Sequence, residues 1–285
     1  MPRDFQTIVL FYNKDLFDAA GVPYPTDDWT LQDLRDAAKK LTVDSDGDGV
    51  MDQWGFSTDL WDMELSSGAA LWGNGAEVLN ADRTQTLIGE PKARAAWQTI
   101  SDMVLLDKSI PDPETAAQYG DAFAAGTAAM TTIGHWVVPE YAKLPFQWDV
   151  AAMPAGPEKR ATSVNSAGFV LAKDSKNPDA AWKFVEFASS EAGQQSDRLG
   201  FALCPCSRAS PKARPTWTRS RADPPAGLPG RTDSAQVKPS FRGYDEWATV
   251  VGDTRPRLGA AKWISTRHWM RLCRRRMKYS RRISN

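Results

Sequence analysis

Two features of this chain have residue types and spacing suited to chemistry: an aspartate-rich loop and an excess of tryptophan. The loop runs Asp44-Ser45-Asp46-Gly47-Asp48-Gly49-Val50-Met51-Asp52. Its oxygens follow the spacing of a calcium loop, with side chains at positions 1, 3 and 5 and a glycine at 6 for the turn. A main-chain carbonyl falls at 7 and a carboxylate at 9. Position 12, where a bidentate glutamate belongs, is Gly55. A structural calcium ion held by Asp44, Asp46, Asp48, Val50 and Asp52 is the expectation, weakened unless another segment supplies a carboxylate. The competing reading is a turn held by Asx hydrogen bonds alone. No other cofactor is called for.

The chain carries 12 Trp in 285 residues, which is heavy enough to need a reason. Core packing is the plain one. The sharper one is a carbohydrate cleft, because the flat indole suits the C–H face of a sugar ring and keeps its N–H free. Catalytic patterns are missing. There are two histidines, His135 and His268, and no nucleophile elbow, P-loop or zinc motif accompanies them. A glycoside hydrolase needs two opposed acids, and none of the many acids here stands in such a motif. Cys204-Pro205-Cys206 is too short and isolated to argue for a metal. The chain reads as a binder, not an enzyme.

The elements that position these residues follow from periodicity. Thr7–Tyr12 (TIVLFY) is a β-branched and aromatic run, expected to be a buried strand. The following segment has Leu16, Phe17 and Ala20 on one face and Gly21 as a stop. Thr30 is placed to cap a helix reaching Leu41, with Leu31, Leu34, Ala37, Ala38 and Leu41 at helical spacing. A short strand is expected near Phe56. Helices are expected at 61–73, 91–107, 115–125 and 178–190, the second with Ala95, Trp97, Ile100, Val104 and Leu105 as its apolar face. AAMTTIG, WDVAAMP and AGFVLA (167–172) read as strands. Trp29, Trp97 and Trp182 sit in helical patterns and read as packing residues. Strands alternating with helices predict an α/β fold.

Several segments, in order, resemble the sugar-binding type of ABC-transporter extracellular solute-binding proteins, relatives of maltose-binding protein. They are LFYNKDLFDAAGVPYPTDDW, DAFAAGTAAMTTIGHW at 121–136, WDVAAMPAGP and AGFVLAKDSKNPDAAWKFVEFASS. The resemblance covers roughly 3–202 and 233–254. It implies a periplasmic-binding-protein-like fold, two α/β lobes with a hinge that close over a ligand. It also implies that lobe one is incomplete here, with sequence expected before Met1. The expected divisions are 1–125 (partial lobe one and the start of lobe two) and 126–202 (the remaining core with its hinge crossings). An irregular segment at 203–232, a family-like helix segment at 233–254 and an aberrant basic tail at 255–285 follow.

By the same likeness, Trp136 is the aromatic expected to stack on a sugar, and Trp247 with Tyr244 the second such pair. Trp61 and Glu64 stand at the helix entrance that offers an aromatic and a polar group to the cleft. Asn165 and Ser166, placed just before the AGFVLA strand, are the expected hydroxyl partners. The implied function is capture of a sugar or oligosaccharide for the membrane subunits of an ABC importer, by a monomer on the extracellular or periplasmic side. A peptide, polyamine or glycerol phosphate derivative in the same fold is the alternative. A truncated product that binds poorly or not at all is another. MPRDFQTIVL lacks the zones of a signal peptide, and no apolar run approaches the ~20 residues of a membrane span.

The last third differs in character. Residues 1–203 hold 16 Lys/Arg against 30 Asp/Glu, whereas 204–285 hold 19 against 5 along with all three cysteines. A one-base shift of reading frame turns Trp217-Thr218, Trp263-Ile264 and Trp269-Met270 into aspartates and Met277-Lys278 into glutamate, whatever codons are used. With GC-rich codons, AKWISTRHWMRL becomes GKMDLDAALDAA, an acidic amphipathic helix. The tail is therefore expected to be frameshifted text, and the coding DNA settles it. A nucleic-acid patch is the rejected reading, because the tail lacks helical periodicity and an organised aromatic pattern.

Overall fold

The computed structural model describes residues 1–194 except 61 and 64, together with 204–205 and 235–237. Apart from 204–205 and 235–237, the expectations for 203–232, 233–254 and 255–285, Tyr244, Trp247 and the shifted frame included, lie outside the described residues, as do Trp61 and Glu64.

The organising element is β1 (Pro2–Asn13), longer than the apolar run that predicted it. Ile8 to Tyr12 are buried without interruption, which is why this stretch reads as continuous apolar sequence and not as an alternation. Helix α1 (Lys14–Ala20) starts directly from the strand because the Asn13 side chain accepts from the Asp15 and Leu16 N–H groups; Gly21 ends it in the left-handed region. Helix α2 (Leu31–Lys40) opens on the expected Thr30 cap, closed into a reciprocal box by Asp33. Arg35 bonds Asp107 at 2.5 Å and Lys39 approaches the same carboxylate at 3.3 Å, which ties α2 to the end of α4 (Pro91–Leu105). The Arg35 guanidinium holds the Asp107 carboxyl below its usual range.

Three helical expectations shift. Helix α3 covers Ser67–Gly73 only. The buried face of α4 is Ala93, Ala96, Met103 and Val104, with Ala95 and Leu105 exposed. Helix α5 is Pro113–Tyr119 and not 115–125. Its Asp112 cap receives the Glu114 and Thr115 N–H groups, Pro113 suits the first turn, and Gly120 ends it.

Strands β2 (Met130–Gly134) and β3 (Trp148–Ala151) pair antiparallel with the second half of β1, at Ile8–Tyr12 and Leu10–Asn13. A 3-10 turn (His135–Val137) and the short α6 (Val138–Tyr141) lie between β2 and β3. Strand β4 (Thr162–Gly168) pairs antiparallel with the first half of β1. It therefore lies about five residues before the expected 167–172 strand, drawn there by partners at Pro2–Thr7. β5 (Cys204–Pro205) flanks Asp4–Phe5 and β6 (Ala235–Val237) runs parallel to β4. One strand thus serves two half-sheets. Helix α7 (Pro178–Ala188) follows; its Trp182 is 46 % exposed, against the packing role expected of it.

The core is distributed about β1. One face carries Leu10 and Tyr12 against Phe17, Leu34, Ala38, Leu41 and Met130. The other carries Val9 and Phe11 against Phe123 and Tyr141. A separate cluster joins α3 to α4 through Leu71, Trp72, Ala93 and Ala96, with Trp97 half-buried on it. Trp29 packs on the first cluster. Among the described residues no helix is long and apolar enough to cross a membrane.

Candidate functional site

Where β1 passes from one half-sheet to the other, it brings together residues distant in sequence. Ile8 pairs with Gly134 at the end of β2, and Ile8 forms a small apolar cluster with Ala69, Met153, Leu65 and Trp136. The Trp136 ring lies directly over the Gly134 backbone, because a Cβ on Gly134 would come within 1.7 Å of the ring. Glycine is needed there for close approach, not for φ, which is −85°.

By the period of two along β1, Gln6 stands on the Ile8 face. Its partner across the ladder is Asn165, and directly opposed residues share a face. Gln6 Oε1 and Asn165 Nδ2 are buried atoms with no hydrogen-bond partner among the described residues. Buried amides seldom go unpaired, and this pair offers one acceptor and one donor on the Ile8 face of β1. Sequence reasoning missed Gln6. Its signal was an amide directly before the Thr7–Tyr12 run, at the period of two from Ile8.

Asn165 and Ser166 both belong to β4 and not to a segment before it. Successive strand residues face opposite ways, and Ser166 is exposed and opposite Phe5. The structure therefore brings Asn165 to the Gln6 and Ile8 face of β1 and leaves Ser166 on the other. Asp4, also on the Gln6 face, is buried and ion-paired to Arg3 at 2.5 Å. His135 is buried too; desolvation pushes its pKa down, opposed by the negative charge of Asp4.

The aspartate loop is well ordered by its own side chains. Asp44 accepts from the Gly47 and Gly49 N–H groups at 2.8 and 3.0 Å. Asp46 accepts from Asp48 at 3.1 Å and Asp48 from Val50 at 2.7 Å. Asp52 accepts from the Ser45 N–H and hydroxyl, which lowers its pKa. Asx turns are thus present, as the competing reading requires. The same folding gathers ligand oxygens of Asp44, Asp46 and Asp48 within 4.8 Å of one another, a donor set that fits a hard cation. Gly55 has no side chain to offer at the twelfth position, and a Cβ there would meet the Ala38 carbonyl oxygen at 1.9 Å.

Comparisons with known proteins agree with this architecture. The family described as bacterial extracellular solute-binding protein matches residues 1–195. A protein of Brucella abortus named as a binding protein is 28 % identical over 254 residues, spanning 86 % of this chain and 58 % of its own length. A maltodextrin-binding protein of Bacillus subtilis is 25 % identical over 200 residues, 67 % of this chain and 46 % of its own. The chain therefore spans about half the length of such relatives. Among solved structures, an ABC substrate-binding protein of Listeria monocytogenes in complex with cycloalternan is similar at a TM-score of 0.80. It is 25 % identical, over 98 % of this chain and 71 % of that one. The maltose/maltodextrin-binding domain of Bdellovibrio bacteriovorus bound to maltotriose gives 0.77 at 19 % identity, over 99 % and 72 %. That likeness speaks for the fold: a mixed α/β sheet of the periplasmic-binding-protein kind. Taken with the match over residues 1–195, it leaves one conclusion: this chain belongs to the bacterial extracellular solute-binding protein family.

Proposed function

We propose that the chain captures a neutral saccharide on the outer side of the membrane and presents it to the membrane subunits of an ABC importer, acting as a monomer without chemistry of its own. The observation that carries this reading is the unpaired amide pair of Gln6 and Asn165 on the Ile8 face of β1, with Trp136 packed against Ile8 itself. An aromatic face takes the apolar side of a sugar, while an acceptor and a donor satisfy hydroxyls that lose water on burial. Amides are neutral, and the 16 basic against 30 acidic residues of 1–203 disfavour an anionic solute. Sugars bound by similar proteins support the class and not the identity of the sugar. Trp61, Glu64, Tyr244 and Trp247 remain proposed further contacts.

Calorimetry with maltotriose, a monosaccharide panel, spermidine and glycerol phosphate tests it. Binding confined to saccharides is the expected result; binding of spermidine or glycerol phosphate alone refutes it. Gln6→Ala and Asn165→Ala are each expected to lose about 1–3 kcal/mol of affinity, the cost of one unsatisfied hydroxyl partner.

We also propose that Asp44, Asp46, Asp48, Val50 and Asp52 hold a structural calcium ion. Calcium should then raise the melting temperature of the unaltered protein and not of Asp44→Ala. A melting temperature indifferent to calcium and to chelator refutes the ion. Gly55→Glu, which restores the usual twelfth ligand, is expected to lower stability and leave calcium affinity unimproved, because of the Ala38 carbonyl.

A further inference from the structure

The hairpin between β3 and β4 carries a side chain whose bonds reach out of it. β3 leads through Ala152 to Met153, which is buried with Ile8 and Ala69 in the cluster that Trp136 packs against. The chain turns back at Gly156, whose N–H donates to the Lys159 carbonyl at 3.0 Å, and enters β4 at Thr162. Arg160 is half-buried on the return arm. One of its guanidinium nitrogens donates to the Met153 carbonyl and another to the Asp27 carbonyl. A single planar fork thus ties the Met153 backbone to the loop before α2, 133 positions from Arg160 in sequence.

The rest of the hairpin has attachments of its own. Ala155 donates to the Trp29 carbonyl at 2.8 Å and accepts from the Leu31 N–H at 2.9 Å. The Glu158 N–H reaches the Gly73 carbonyl at 3.0 Å, and a Cβ on Gly156 would come within 2.3 Å of that same carbonyl group. Thr162 is held separately, its hydroxyl donating to the Ile8 carbonyl at 2.7 Å. These bonds fix the turn and the start of β4. Met153 precedes all of them, and Pro154, next in line, has no N–H with which to anchor the chain there. The bond from Arg160 is what reaches back to Met153.

We propose that Arg160 is a positioning residue: its guanidinium clamps the Met153 carbonyl to the loop before α2 and so sets the apolar floor on which the Trp136 indole rests. The effect on solute capture rests on the saccharide reading; the effect on Met153 does not. Lysine is no substitute, because an ammonium on a flexible stem does not present two donors in one fixed plane.

NMR on the full chain, labelled at the methionine methyls, separates the two effects. The chain has 8 Met. Met153→Leu assigns the Met153 signal by its loss, and Met130→Leu assigns that of Met130, which lies in the buried cluster of Leu10, Tyr12 and Phe17 and reports on the fold. In Arg160→Leu the Met153 signal is expected to move or broaden while that of Met130 stays. Arg160→Lys, which keeps the charge, is expected to do the same, and it decides if Arg160→Leu fails to fold. A Met153 signal unchanged in Arg160→Lys overturns the clamp, and so does a Met130 signal that moves in step with it. By calorimetry, maltotriose affinity is expected to fall about tenfold in Arg160→Lys, roughly the worth of one charged hydrogen bond. The same substitution should cost nothing further in a Met153→Ala background. An equal fall in both backgrounds, or a fall in neither, overturns the positioning role. Absence of maltotriose binding by the unaltered chain counts against the saccharide reading, and the Met153 signal then decides for Arg160.

Discussion

Trp136→Ala is expected to weaken saccharide binding by at least about 30-fold, the roughly 2 kcal/mol of an anchoring aromatic. Part of the measured change will not be stacking. The ring also packs against Ile8, Ala69 and Met153 and against the Val9 and Phe11 cluster, so truncation removes apolar contacts in the free protein as well. Because the ring is only half-buried, the stability loss should stay near 1–2 kcal/mol, below that of a fully buried aromatic. Gly134→Ala separates the two contributions. The backbone at Gly134 accommodates alanine, but the added methyl occupies the space of the Trp136 ring. Affinity should therefore fall with every indole atom still present. Calorimetry on both variants, with urea unfolding as the control, checks the pair. An affinity unchanged in both removes Trp136 from the site.

Phe11→Ala should be the most damaging single change in the described chain, at about 3–5 kcal/mol. Phe11 is fully buried and meets Phe123, Tyr141 and Trp148 at ring separations of 6.5, 5.4 and 5.5 Å. It sits on β1 where that strand pairs with both β2 and β3. A cavity there strips one face of the half-sheet of its packing. Native stability for a domain is about 5–15 kcal/mol, so a large share would be lost. Urea unfolding reads this directly, as a lower midpoint at unchanged slope. Phe11→Leu, which refills most of the volume, should cost less than about 1.5 kcal/mol. A Phe11→Ala cost under about 1 kcal/mol would mean that the aromatic cluster is not packed as described.

The sequence made some parts of this architecture legible and hid others, for physical reasons. Local signals survived: the Thr30 cap, the Gly21 stop and the buried β1 run all rest on neighbours within a few residues. Signals that depend on distant partners did not. The segment 162–168 is TSVNSAG, poor in apolar residues, and becomes a strand because Pro2–Thr7 supplies its ladder. AGFVLA, richer in strand-forming residues, lost that competition. Helix α4 kept its periodicity, but the buried face could not be placed to one residue without knowing where α3 lies. At the candidate site, Trp136 was named through the likeness of its surroundings to a known family. Gln6 was not, because its place opposite Asn165 is set by a residue 159 positions later in sequence.

β1 also sets a schedule. Its first-half partner in β4 and its second-half partner in β2 are both made more than a hundred residues after it, and strands that wait for distant partners fold slowly. At the usual synthesis rate of about 5–20 residues per second, some ten to thirty seconds separate the emergence of β1 from that of β4. During that interval Ile8 to Tyr12, five apolar or aromatic residues without charge or proline, form a segment of the kind that associates with copies of itself. The strand that joins the two half-sheets is thus open to self-association while the chain is still being made.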